Sequence, residues 1–365
     1  MTPVELSRTV LCAVRRAVDD GELSVVVPPQ AVVTVPGPGG CGDYATNIAL
    51  QLARPAGQPP QRVAEVLRPY LLGAAGVSDV VVTGPGFLNI SLQAAQAAQG
   101  SVALVSEILR SQSQSQSQSQ GRSGVGFGYV DRPTGQVVQL HAAHEVRAVV
   151  VMDVVARVLR SQGALVRTSC VARPEREWTE VLGVEVDAYG TPDAPAPLEV
   201  NVRPVPAAPA DPVSLGRDAG RWALLHPAAH DRPRVTSEYL SQREGNPLFR
   251  VRYAHARTRA LSRNAADLGF DAHPGVVQDV RALEIALADH PRILAATATQ
   301  HAPDRLARHL LAVADAVTPL LPTVLPRGEE KPSAAHRARL ALAEAAGTVL
   351  AGGLSLLGID APDHL

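Results

Sequence analysis

Tyr253, His255, Arg257 and Arg259 stand close together in the stretch NPLFRVRYAHARTRALSRNAADLGF, residues Asn246–Phe270. Pro247 suits a first helical position and Gly269 a helix stop, so the stretch predicts one unbroken helix. At about 100° per residue, Arg252, Arg259 and Arg263 fall within roughly 40° of one another on it. An arginine ridge beside an aromatic and a histidine is suited to contact phosphates and to stack on nucleobases. The same spacing also describes a solvated cationic face, with Tyr253 and His255 packed inward.

Two further groups of residues are candidates for chemistry. Phe87 and Asn89 follow a Gly-Pro-Gly turn, and on their residue types alone they read as structural. As purely structural residues they would be a core aromatic and a turn former. His141 and His144 are spaced i, i+3 and could share a metal, but no further ligand accompanies them, so no metal is expected. Cys12, Cys41 and Cys170 are widely spaced and odd in number, which supports neither a zinc site nor a disulfide framework. The glycine-rich VPGPGGCG lacks the lysine and hydroxyl of a phosphate-binding P-loop.

These residues need elements to hold them. Thr2-Pro3 begins a helix that ends at Gly21, GDYATNIALQLA (Gly42–Ala53) an amphipathic helix start, and Pro60–Leu72 a third helix. Val77–Leu92 alternates as two strands about the Gly-Pro-Gly turn. Gly124–Val166 reads as strand, loop, helix and the start of a second strand. Later helices are expected near Val276–Asp289, Arg305–Leu321 and Ala334–Leu357, with Pro291, Pro303, Pro319, Pro322 and Pro326 at the joins. Residues 111–120 are SQSQSQSQSQ, which buries no apolar surface and predicts a coil tether of roughly 20 Å.

The 365 residues allow two or three domains. Hydrophobic residues make up 46% of the chain, enough for packed cores, and the net charge of −1 leaves any nucleic-acid contact to local patches. The basic residues are almost all arginine, with Lys331 the single lysine. No basic leader precedes an apolar segment, and no apolar run reaches the ~18 residues of a membrane span. A cytoplasmic protein with no membrane partner is the expectation.

NPLFRVRYAHARTRAL resembles the helix that opens the anticodon-binding domain of arginyl-tRNA synthetases, where the pattern is close to NPVxYVQYAHAR. GDYATNIALQLA followed by GPGFLNI resembles that family's additional N-terminal domain, whose aromatic and asparagine contact the elbow of the tRNA. LGRDAGRWALL (Leu215–Leu225) and the C-terminal RARLALAEAAGTVLAGGLSLLGIDAPDHL are similar to the segments that lead into and end the anticodon-binding bundle. The resemblance implies RNA contacts at Phe87, Asn89, Tyr253, His255, Arg257 and Arg259, and weaker ones at Asp363–Leu365.

The middle of the chain departs from that pattern. Pro133-Thr134-Gly135 and the helix with Asp153, Ala156 and Arg157 fit the family's first nucleotide-binding unit. The ATP signature does not: His141-Ala-Ala-His144 has the wrong spacing and puts Ala143 where backbone must approach adenine. SCVARPERE replaces the arginine-holding Asn-Asp motif. No lysine precedes LGRDAGRWALL to stabilise pyrophosphate in the transition state. His141 and His144 are therefore expected to be a degenerate remnant.

The resulting expectation is an α+β multidomain chain: a small α/β N-terminal domain at 1–110, a Ser/Gln linker at 111–123, a truncated Rossmann-like remnant at 124–213, and an all-α anticodon-binding bundle at 214–365. The implied function is a non-catalytic protein that binds tRNA, with tRNA(Arg) the expected species, no cofactor and no DNA partner. The alternatives are a residual arginine–tRNA ligase activity using ATP, alone or with an intact synthetase as partner, and a protein-interaction module without RNA binding.

Overall fold

The apolar residues of the N-terminal helix recur at Leu6, Val10, Ala13, Val14 and Ala17, one stripe of a 3.6-residue period, and that stripe is buried. In the computed structural model, which describes residues 1, 3–37, 39–117, 126–130, 132–190, 199–207 and 210–365, the chain divides into two compact units, Met1–Leu104 and Val105–Leu365.

The first unit runs α1 (Pro3–Asp19), β1 (Val33–Thr34), β2 (Tyr44–Thr46), α2 (Ile48–Ala56), α3 (Pro60–Leu72), β3 (Val77–Thr83) and β4 (Phe87–Leu92). The strands form an antiparallel sheet in the order β1-β2-β4-β3. Leu6, Val10, Ile48, Val63, Leu67, Val80, Leu88 and Ile90 share its core. GDYATN does not begin a helix as expected. Tyr44 and Thr46 pair with Ile90 and Leu88 as a strand, and α2 starts only at Ile48. Gly42, at φ +79, fits close beneath β4: a Cβ there would lie 2.9 Å from the Ile90 carbonyl oxygen.

The division between the units falls within α4 (Ala94–Ser117). The expectation of a coil across the Ser/Gln repeat is corrected over residues 111–117, which continue this helix; residues 118–123 of that segment lie outside the described residues, as does Thr2.

The second unit continues with β5 (Val137–Ala142), α5 (Val146–Ser161), β6 (Leu165–Cys170), α6 (Arg176–Glu180), β7 (Ala188–Tyr189) and β8 (Glu199–Val202). All four strands are parallel, in the order β7-β6-β5-β8. Then come α7 (Gly216–Leu225), α8 (Pro247–Asp267), α9 (Arg281–Gln300), α10 (Pro303–Val317) and α11 (Ala334–Leu357). The fold is thus mixed α/β, with small sheets and a helical C-terminal region.

Three local expectations are corrected here. The strand of the first parallel unit follows Pro133-Thr134-Gly135 instead of preceding it, and residues 126–130 form no strand. Pro133-Thr134-Gly135 therefore lies outside the β5–α5 turn, where a nucleotide-binding loop would be. The helix expected from Val276 begins at Arg281, and Pro291 sits inside it, not at a join. A window in α11 has mean hydropathy 1.7 and meets the length and composition of a membrane span, but 72% of that window is buried against the rest of the protein.

α5 is buried almost along its whole length because it packs on the sheet and also meets α7, α9 and α11. Its Asp153 ion-pairs with Arg221 of α7, and both are nearly inaccessible, at 4% and 0% exposure of the side chain. Arg221 also donates to the carbonyls of Leu357 (2.7 Å) and Leu182 (2.9 Å). Gly358, left-handed at φ +70, ends α11 against this guanidinium, where a Cβ would lie 2.5 Å from Cζ.

His290 of α9 and His309 of α10 stack with ring centroids 5.2 Å apart, and Phe127 stacks on His290 at 6.1 Å. Burial pushes both imidazoles down, His309 to about 4. Both rings stay neutral in the folded protein while the unfolded chain takes up protons below about 6.5. Their stabilisation is therefore complete above pH 6.5 and is lost as pH falls toward 4. Urea titrations should show His309 alone lowering stability by about 2 kcal/mol at pH 5 relative to pH 7. His309→Gln should flatten that dependence; an unchanged slope in this variant would remove the assignment.

Candidate nucleic-acid interface

Phe87 and Asn89 are two residues apart on β4, so the strand period directs them to one face of the sheet. Their exposure nevertheless differs, at 40% and 2%. Gly40 and Cys41 pack on Asn89, so close that a Cβ on Gly40 would lie 2.8 Å from Asn89 Oδ1. The Asn89 amide donates to Thr83 Oγ1 (2.6 Å) and to the Val81 carbonyl (3.3 Å), and accepts from the Cys41 amide (3.4 Å). Asn89 thus fixes the glycine-rich loop against β3, and Phe87 is the member of the pair that solvent reaches.

On α8 the starting residue fits its role: Asn246 caps the helix by accepting from the Leu248 amide (3.0 Å). Tyr253 is 44% exposed and lies 5.7 Å from Phe249, ring to ring. Arg257 is exposed and has no ion pair among the described residues. His255 is buried, with Nδ1 3.1 Å from the Pro362 carbonyl oxygen, so in that hydrogen bond Nδ1 carries the proton. Burial pushes its pKa below the usual histidine range.

The arginine ridge is divided by its partners. Arg252 pairs with Asp218 of α7 at 3.3 Å, and Arg250 with Asp315 of α10. Arg259 donates to Asp363 Oδ1 (3.0 Å), holding that carboxyl below its ordinary range, and Arg263 reaches the Asp363 carbonyl (3.2 Å). Of the four α8 residues marked in the sequence, His255 and Arg259 thus meet the C-terminal tail, with Asp363 as the partner it supplies. These three line a cavity of about 230 Å³ together with Thr258, Glu344 and Thr348. Burial pushes the Glu344 carboxyl up. Asp218 and Asp315 were missed in the sequence because their arginine partners lie 34 and 65 positions away.

His141 ends β5 with Nδ1 2.9 Å from Ser169 Oγ, and His144 lies in the following turn with Nε2 2.9 Å from the Arg173 carbonyl, its ring 5.1 Å from Trp178. Among the described residues no group of three His, Cys, Asp or Glu could hold a metal.

Open parallel sheets hold ligands outside the carboxyl ends of their strands, at the point where strand order reverses. Here that point lies between β5 and β8, the strands on which the chain departs in opposite directions. Arg147, in the first turn of α5 just after β5, is 1% exposed. Its guanidinium donates to the carbonyls of Leu224 (3.0 Å), Asp231 (2.7 Å), Pro227 (3.0 Å), Ala228 (2.8 Å) and Val205, the last just beyond β8. Burial lowers its pKa. The guanidinium N–H groups are thus directed to backbone carbonyls.

The chain thus combines an N-terminal α/β unit with a second unit in which a small parallel sheet is followed by a helical region. Residues 5–92 match the arginyl tRNA synthetase N terminal domain family, and residues 251–365 the DALR anticodon binding domain family. The chain is a relative of the arginyl-tRNA synthetases. It is 43% identical over 171 residues to an arginine–tRNA ligase of Renibacterium salmoninarum, a match that covers 46% of this chain but 30% of the ligase. Against the arginine–tRNA ligase of Paenarthrobacter aurescens it is 26% identical over 559 aligned positions that take in all of both proteins, so about a third of the alignment has no residue from this 365-residue chain. In fold it is similar to the arginyl-tRNA synthetases of Thermus thermophilus (TM-score 0.67, 15% identity) and Plasmodium falciparum (TM-score 0.69, 9% identity), each covering the whole of this chain and 100% and 99% of the solved one.

Proposed function

We propose that this protein binds tRNA, with tRNA(Arg) the expected species, through the exposed Phe87 of its N-terminal unit and the Tyr253–Arg257 face of α8, and that it does not charge it. Arg147 carries the non-catalytic part of this reading. Its guanidinium, committed to five carbonyls at the edge where an open parallel sheet holds ligands, stands where a nucleotide phosphate would be received, and this supports binding without catalysis. The single lysine, Lys331, comes in the segment just before α11, far along the chain from the strands of the sheet, which also favours binding without catalysis. On this reading no cofactor is needed.

Arg257 is the most direct test of the RNA face. Arg257→Glu removes one phosphate-capable cation and adds repulsion, so filter binding should show about tenfold weaker tRNA affinity and a salt slope reduced by about one. Unchanged affinity would remove α8 from the interface.

The second reading is an arginine–tRNA ligase using ATP, alone or completed by an intact synthetase; the full-length alignment to ligases favours it. Arginine-dependent ATP–pyrophosphate exchange separates the two. Exchange above background by the protein alone, or only when an intact synthetase is added, supports the ligase. None under either condition supports binding without catalysis.

A further inference from the structure

The cavity beside His255 and Arg259 has one wall that belongs to neither the bundle nor the C-terminal tail. Gln112, from the Ser/Gln repeat, lines it. Gln112 Oε1 lies 3.0 Å from the Thr348 hydroxyl of α11, whose proton is shared with the Glu344 carbonyl at 2.9 Å. The helix that carries Gln112 has its last buried apolar residue at Ile108. Beyond Leu109 it is built from serine and glutamine alone apart from Arg110. Ser111 and Ser113 turn their hydroxyls back onto the carbonyls of Ile108 (2.6 Å) and Leu109 (3.2 Å), bonds that compete with helix propagation. With no apolar stripe to pack, this last part of α4 is a low-stability element whose docking rests on polar contacts such as Gln112–Thr348.

We propose that the start of the Ser/Gln repeat is a latch on the RNA face. In the free protein Gln112 holds the end of α4 against the cavity shared by His255, Arg259 and Asp363, and RNA entering along α8 and the tail displaces it. This rests on the tRNA-binding reading above and adds its regulation.

The test is tRNA affinity and amide hydrogen exchange in the full-length protein, wild type against Gln112→Ala and Thr348→Val. A latch that opposes RNA makes each variant bind tRNA about threefold to tenfold tighter, the range of one neutral hydrogen bond. The double variant gains no more than either single one, since both remove the same contact. Adding tRNA to wild type should speed exchange over residues 108–117. If wild type binds tRNA but the variants bind equally or more weakly, or if exchange over 108–117 slows, the latch is wrong and tRNA binding stands. If wild type does not bind but the variants do, the latch holds the face shut. If none of the three binds, both readings fall.

Discussion

Asp153→Ala is expected to cost about 3–5 kcal/mol of stability, because it strands the Arg221 guanidinium in the interior without its counter-charge. The carboxylate also receives Arg157 Nε at 3.1 Å, so two arginines lose their partner together. Arg221 cannot relax toward water: it is enclosed by the Leu182 and Leu357 carbonyls and by the backbone at Gly358. Replacing the pair jointly by apolar residues of similar volume, Asp153→Leu with Arg221→Met, should recover much of the loss, since no uncompensated charge then remains. Urea midpoints of the three proteins are the measurement. An Asp153→Ala loss below about 1 kcal/mol would mean that water reaches the guanidinium.

The second large effect belongs to Arg147. Arg147→Ala removes a buried cation and leaves the carbonyls of Val205, Leu224, Pro227, Ala228 and Asp231 without the donors they meet now. Unsatisfied buried acceptors each carry a desolvation penalty of about 1–3 kcal/mol, and water entering the vacated space relieves part of it, so a net loss of about 3–5 kcal/mol is expected. Arg147→Lys should restore less than half of this. An ammonium offers three donors on a flexible stem where the cradle is built for five in a plane. Thermal melting separates the variants. Equal melting of the Arg147→Lys variant and wild type would show that charge alone matters there. The alanine variant also extends the test of non-catalysis: nucleotide binding gained by Arg147→Ala would identify the guanidinium as what keeps the edge closed.

Much of the architecture was legible because its signals are local. Asn246-Pro247 and Gly269 bracket α8, Pro60 opens α3, and the two strands about the Gly-Pro-Gly turn are where alternation puts them. What escaped the sequence depends on partners far along the chain. Tyr44–Thr46 is a strand only because β4 pairs with it, and the placement of β5 depends on β6 and β8. The Ser/Gln run reads as coil by composition, yet residues 111–117 of it extend a helix already nucleated by the apolar residues before them.

The candidate site was legible in kind more than in detail. Tyr253 and Arg257 are exposed as an RNA contact requires, whereas His255 and Asn89 spend their polar atoms inside the protein. A histidine and an asparagine flanked by RNA-suited residues carry no mark of which way their hydrogen bonds go; that is set by the tail at Pro362 and the loop at Cys41. Arg147 was invisible for the opposite reason. A lone arginine at the head of an apolar helix reads as a side chain that reaches out to water, and only Val205 and residues 224–231 packing on it reveal five carbonyls.

The Arg221 junction has a consequence for how this protein can be cut. The anticodon-binding match begins at residue 251, but the last turn of α11 is tied through Leu357 to Arg221, and Arg221 in turn to Asp153 of α5. A fragment trimmed to the matched region discards the residue that secures its own final helix. The matched stretch is therefore shorter than the stretch these contacts tie together, and grafting this bundle onto another scaffold is expected to require carrying α5 and α7 along with it.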